Sequence, residues 1–401
     1  MPSQQIYKIW VLVAIGSVIA LLGLGIRSTF GIFLAPMSAD LGWGREVFAL
    51  AIGVQNLIWG FSQPFAGMLA DKFGTARVLA VGAFLYGFGV YGMATASSPF
   101  MLQISGGLLV GMGLSGVSFA LVLAALGRIV PENYRTLSFG IVTAATSMGQ
   151  FLLVPLGHKF MEIYGWSAAL IILAVLITII APLSPAFRGR NKAIAEGTKQ
   201  SMRAALKEAR QHAGFLYLTA GFFVCGFHIM FITTHLPGYV TENGLSAEIG
   251  AWSLAIIGLF NIFGAITAGI LGNRFKKKNM LSLLYLSRAV AIALFVLLPL
   301  NSITLMVFSA TIGLSWLSTV PLTSGIVAQV FGPQYMATLF GFVMLSHQFG
   351  AFLGVWLGGY LFDLTGSYEI GWWVGVALAL LATIIHLPID ERPVARLSAP
   401  A

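Results

Sequence analysis

Charge is what this chain has least of. Only 9% of its 401 residues are Asp, Glu, Lys or Arg, whereas a soluble domain carries roughly 25%, so a water-covered globular fold is excluded. Cysteine is scarcer still. The single Cys225 sits in an apolar stretch, which excludes a disulfide framework and a thiolate metal site. Long polar segments are missing apart from one between Phe187 and Gly214, leaving no room for a separate catalytic domain. No nucleophile–base pair, metal-ligand cluster or nucleotide loop is found, so neither an enzyme nor a cofactor or metal is expected.

In place of charge stand apolar runs, with 58% of residues hydrophobic. Segments of roughly 20 such residues match a helix crossing a hydrocarbon core of about 30 Å. Twelve can be marked, at 9–37, 46–70, 78–96, 100–127, 136–158, 166–186, 214–239, 247–272, 280–299, 302–330, 336–362 and 371–389. The pattern predicts an all-α membrane protein of twelve transmembrane helices. The stretch after Lys8 could pass for a signal peptide, but it runs for roughly 30 residues without a small-residue cleavage site, so it reads as a retained first span.

The net charge of +9 would suggest nucleic acid in a soluble protein; here its placement decides otherwise. With the amino terminus inside, 18 of the 22 Lys and Arg fall on cytoplasmic segments and two, Arg45 and Lys159, outside. That asymmetry is the positive-inside rule. It places a multi-pass protein in the cell's inner membrane with both termini cytoplasmic, in contact with the lipid bilayer and not with nucleic acid. Arg27 and Arg288 remain, both within spans.

The polar segment "FRGRNKAIAEGTKQSMRAALKEARQHAG", 187–214, divides the spans six and six. Residues 1–186 and 214–401 are therefore read as two pseudo-symmetric six-helix bundles and 187–213 as a cytoplasmic linker. Within it, Ser201 to Arg210 has helical character with a basic face, suited to headgroups or to a solvated connector. The halves repeat. "YRTLSFGIVTAATSMGQFLLVPLG" from Tyr134 matches "YMATLFGFVMLSHQFGAFLGVWLG" from Tyr335 at an offset of 201, placing Gly140 on Gly341. At 202, "GMLADKFGTARV" from Gly67 matches "GILGNRFKKKNM" from Gly269. At 201 again, Gly25, Arg27, Phe30 and Pro36 fall on Gly226, His228, Phe231 and Pro237. Such parallel repeats are typical of twelve-span carriers.

"GMLADKFGTARV" resembles the G-x-L-A-D-R-x-G-[RK]-[RK] loop of the major facilitator superfamily, and with the six-plus-six split the resemblance covers the whole chain. It implies the major facilitator fold and gating roles for Asp71 and Arg77 at a cytoplasmic gate. "GIRSTFGIFLAPMSADLGWGREVFALAIGVQNLIWGFSQPFAGMLAD" is similar to the monocarboxylate transporter and oxalate:formate antiporter branch, in which a basic residue, Ser and F-G-x-F mark the first span. Arg27 and Ser28 hold those positions. Two features of the branch are missing: the acidic-glycine motif opening the first span, and the arginine of span eight, where Ala265 stands. Signatures of drug:proton antiporters are also absent from "GGLLVGMGLSG" and "TSMGQFLLVPLG". All 13 acidic residues lie in loops or near span ends, leaving no midplane carboxylate for a cationic substrate.

Helical rise places Arg27 about 25 Å from Trp10 and about 20 Å short of Asp40, near the midplane. A cation there is costly unless it faces water or a partner, and guanidinium geometry fits a carboxylate. Arg27 is therefore the expected substrate-binding cation. Its repeat mate His228 is expected to approach the same substrate from the other half, and His228 or His347 to carry a coupled proton. Gln348, Asn56, Gln63 and Asn261 are further candidate contacts, with interhelical hydrogen bonding as the alternative for the last three. Arg288 is expected to be structural, reaching back to the cytoplasmic headgroups, and Pro321 to kink span ten. The expected function is secondary active transport of a small organic anion, a monocarboxylate, by alternating access with proton coupling, in a monomer. Export of a neutral or hydrophobic molecule, and a sensor on a carrier fold, are the alternatives; the short stretch after the last span offers a sensor little output segment.

Overall fold

The computed structural model describes residues 3–130, 132–188, 201–272, 274–332 and 336–395. Among them the chain is helical almost throughout. The first half contains α1 (Ser3–Ser28), α2 (Phe30–Leu41), α3 (Arg45–Phe73), α4 (Thr75–Ala94) and α5 (Pro99–Leu102). A π-helical stretch, Gln103–Leu109, then leads into α6 (Val110–Gly116), α7 (Phe119–Ile129), α8 (Glu132–Thr178), α9 (Ile180–Leu183) and the 3-10 turn Ser184–Phe187. The second half contains α10 (Met202–Gln211), α11 (Ala213–Glu242), α12 (Ala247–Leu271) and α13 (Lys277–Leu297). It ends with α14 (Ser302–Ser315), α15 (Thr319–Phe331), α16 (Met336–Thr365) and α17 (Glu369–His386).

Ten segments among the described residues are long and apolar enough to cross a membrane. Two causes separate that number from the twelve expected. The α3 segment carries Gln55, Asn56 and Gln63 in its middle, which depress its hydropathy. Ser138–Phe187 registers as one segment of 50 residues. A straight helix of that length would measure about 75 Å, and Gly165 interrupts it with φ 82 and ψ 165, a backbone that side chains disfavour. Large apolar residues such as Phe88, Phe100, Leu283, Leu297 and Ile303 are exposed, as lipid-facing surfaces require.

In the first half α1 and α4 pack along α8; in the second, α11 packs along α16, α13 along α17 and α12 along α14. The two halves of the chain meet through α3–α16, α8–α12 and α2–α11. Glycines permit these close crossings. An added Cβ at Gly31 would run into the Thr233 carbonyl, at Gly53 into Phe352, at Gly60 into Gln348 and at Gly258 into Gln150. Toward the linker the picture reverses. Gly67, Gly140, Gly269 and Gly341 would meet nothing within 4 Å; the other described glycines with such room, Gly42, Gly74, Gly165, Gly244 and Gly366, all have positive φ.

The helix α10, in the segment expected to be the linker, starts one residue after its Ser201 cap, whose hydroxyl accepts from Ala204 N at 3.2 Å. It buries Ala205 and Ala209 and exposes Arg203, Lys207 and Arg210.

Candidate functional site

Arg27 lies at the end of α1, where α2 brings the first half against α11. Its Nη2 donates to Asn56 Oδ1 of α3 and approaches Met230 Sδ of α11 at 2.9 Å. The guanidinium stands 4.9 Å from the Trp59 ring centre, close enough for cation–π attraction. One cation thus touches both halves of the chain. Its Nε is buried without a hydrogen-bond partner, and among the described residues no carboxylate pairs with it.

Residues 56, 59 and 63 of α3 share one helical face, and that face is braced. Asn56 Nδ2 donates to the Ile52 carbonyl at 2.7 Å, leaving Oδ1 aimed at Arg27. Trp59 Nε1 donates to Gln63 Oε1 at 3.0 Å, and Gln63 Nε2 donates to Ser118 Oγ at 2.9 Å. Asn56 and Gln63 therefore have both ends of their amides bonded within the protein, and they fix Arg27 and Trp59 in place. A cavity of ≈ 10 Å³ beside Trp59, lined by Gly23, Leu114, Val117 and Ser118 among others, has room for one water at most.

Asn261 is likewise bonded at both ends. Its Nδ2 donates to Ser147 Oγ of α8 at 2.8 Å, and its Oδ1 accepts from Leu317 N at 2.9 Å. Leu317 lies in the break between α14 and α15, just ahead of Pro321, which has no N–H and frees the carbonyl four residues before it. Pro321 was expected to kink this span, and the break falls at residues 316–318.

His228 does not meet Arg27. Its Nε2 lies 2.9 Å from the Gly375 carbonyl of α17, so that nitrogen holds the proton and donates; Nδ1 is buried without a partner. Met230, which does reach Arg27, is two residues on, about 200° around the helix. The repeat places His228 at the right height and the helix turns it the wrong way. His347 of α16 is half-buried, with its ring 5.2 Å from Phe222 and Nδ1 unpartnered. Gln348 is buried against Gly60, and its Oε1 also lacks a partner. No described contact joins either residue to Arg27.

Arg288 differs from the sequence expectation. It turns inward, not toward headgroups, and is 1% exposed. Nη2 donates to the Trp316 carbonyl at 2.7 Å and to the Ser315 carbonyl, and Nε donates to Ser315 Oγ at 3.2 Å. A cation at the C-terminus of α14 satisfies orphan carbonyls and favours the helix dipole, a stronger demand than snorkelling. Of the gating pair, Arg77 is exposed and its Nη1 reaches the Phe73 carbonyl at 3.4 Å; Asp71 lies in α3, with its side chain outside the described residues. Sequence reasoning missed Trp59 and Met230, although Trp59 lies one turn from Asn56 and could have been found by that spacing.

The family model for the Major Facilitator Superfamily matches residues 13–354. The chain is 25% identical over 374 residues to the uncharacterized MFS-type transporter YcxA of Bacillus subtilis, covering 90% of each. It is also 25% identical over 381 residues to monocarboxylate transporter 13 of Rattus norvegicus, covering 91% of this chain and 85% of that one. Among solved structures, the nucleoside transporter NupG superposes with a TM-score of 0.79 at 13% identity, over 94% of this chain and 99% of the other. That likeness shows the fold. The protein is an all-helical membrane transporter that belongs to the Major Facilitator Superfamily.

Proposed function

We propose that the chain is a secondary transporter of a small organic anion, a monocarboxylate, working by alternating access between two six-helix bundles. Twelve crossings follow if α3 crosses and Ser138–Phe187 crosses twice, turning at Gly165. Residues 1–186 and 214–401 then move against each other, with 187–213 as their linker.

The observation that carries the reading is the state of the Arg27 guanidinium. It sits where the halves meet, is oriented by Asn56 and backed by Trp59, and keeps Nε without a partner. Arg288, the other arginine within an apolar span, is saturated by carbonyls. A substrate carboxylate would complete what Arg27 lacks, with the geometry that guanidinium favours. The likeness to a protein named for monocarboxylate transport supports the same substrate class. His347, half-buried with a free ring nitrogen, is the residue assigned to proton coupling, and Gln348 beside it can offer an amide; an anion moving with one proton is electroneutral and needs no buried acid.

The test is uptake of small monocarboxylates into proteoliposomes. Arg27→Gln is expected to abolish saturable uptake, and undiminished uptake would remove the anion site. In parallel, His347→Gln is expected to uncouple uptake from an imposed pH gradient. Ligand identity can be narrowed by thermal shift at two pH values, since binding to the native state raises stability by RT ln(1 + [L]/Kd).

A further inference from the structure

At the end of the molecule away from the linker, three helix termini carry charges of the wrong sign for their own helices. Arg45 opens α3, Asp363 lies in the last turn of α16 and Glu242 is the last residue of α11. A cation at a helix N-terminus and an anion at a C-terminus are each disfavoured by the dipole; Glu46 in the first turn of α3 offsets Arg45 there, whereas Glu242 and Asp363 have no basic residue in the last turn of their own helices.

Across the seam these defects cancel. The Asp363 carboxylate accepts from the backbone N–H of Arg45 at 2.9 Å and of Glu46 at 2.7 Å. Those are orphan donors of α3, whose own cap, Gly44, offers no side-chain bond. A side chain at Gly44 would collide with that carboxylate. Arg45 pairs with Glu242, donates from Nη1 to Tyr368 Oη at 2.7 Å and lies 3.8 Å over the Phe362 ring. Burial pushes the Tyr368 phenol up to about 12, keeping it a neutral acceptor. Glu46 Oε1 accepts from Trp356 Nε1 at 2.9 Å. Every one of these bonds joins residues before the linker to residues after it.

We propose that Arg45, Glu242, Asp363 and Tyr368 form a latch that shuts this face of the transporter and is broken and remade in each transport cycle. The inference rests on the alternating-access reading above. Because the partners of Arg45, Glu242 and Asp363 named here lie on the opposite half, the latch gains them only when the halves meet, and parting exposes the α3 N-terminus together with Arg45. On the positive-inside orientation this is the external face.

The test uses full-length protein in nanodiscs, with Cys225→Ser removing the native thiol and spin labels at Ala39→Cys and Leu364→Cys, both exposed positions on opposite sides of the seam. The latched protein is expected to give mainly the short distance. Asp363→Asn, close in shape, and Arg45→Gln are each expected to raise the ratio of long to short distance about tenfold, the size of a lost charge-assisted hydrogen bond. The labelled protein without either change is expected to shift the same way at high salt, since the Glu242 and Asp363 carboxylates are exposed to screening ions. Distances unmoved by both substitutions and by salt would overturn the latch. Separation is read without substrate, so the two proposals can fail apart: an opened face with uptake indifferent to Arg27→Gln removes the anion site alone, and an unmoved face with Arg27-dependent uptake removes the latch alone.

Discussion

Arg27 and Arg288 both lie more than two turns from the ends of their apolar segments, and their partners make them different objects. Arg288 forks onto two carbonyls and a hydroxyl, an arrangement that a lysine point charge cannot reproduce. Arg288→Lys is expected to lower stability by about 1–3 kcal/mol through carbonyls left unpaired, read as a fall in the unfolding midpoint, with substrate affinity unchanged. Asn56 orients the Arg27 guanidinium through its Oδ1. Asn56→Ala is expected to raise KM about tenfold, the loss of one bond to a charged group, while Asn56→Asp would bind the guanidinium itself and suppress uptake further. What was legible here is instructive. Periodicity and the repeat located Arg27 and its height, but a repeat aligned by sequence does not set helix rotation. His228 and Met230 differ by two residues and by about half a turn, and only packing against Gly375 decides which of them faces Arg27.

Elements were readable where a physical stop exists. The ten helical segments long and apolar enough to cross a membrane begin or end within a few residues of an apolar run, because the run is what a bilayer crossing requires. The division at Gly165 and the start of α10 after Ser201 follow from local chemistry that sequence displays: a glycine that can hold positive φ and a hydroxyl cap. The break between α14 and α15 was only half legible. Pro321 announces a fault, but where it opens depends on groups from other helices: Arg288 of α13 taking the carbonyls and Asn261 of α12 taking the Leu317 N–H. Removing the second of these, Asn261→Ala, leaves a buried N–H orphaned and is expected to cost about 1–3 kcal/mol. It also cuts the link to Ser147 of the other half, so hydrogen exchange at Leu317 should accelerate along with a change in turnover. Unchanged exchange at that amide would mean that the break is held by something other than Asn261.

On the scale of the whole molecule the two ends differ. Toward Arg45 the halves interlock, with Gly31 and Gly53 pressed against residues of the opposite half; toward the linker Gly67, Gly140, Gly269 and Gly341 stand clear. Those four are two pairs related by the internal repeat, one on each of α3, α8, α12 and α16. Substitution is expected to separate the two sets. Gly31→Ala must displace backbone and should lower the unfolding midpoint, whereas Gly67→Ala and Gly341→Ala should raise it slightly and still slow transport. Equal effects on both assays would count against that distinction. An absent side chain where no neighbour stands gains nothing for the arrangement seen here, and glycine lowers helix stability by roughly 0.5–1 kcal/mol relative to alanine. These four positions are hollows without counterparts in the arrangement seen here, the negative imprint that a second shape would leave if, as the alternating-access proposal requires, the opposite ends of the helices came together.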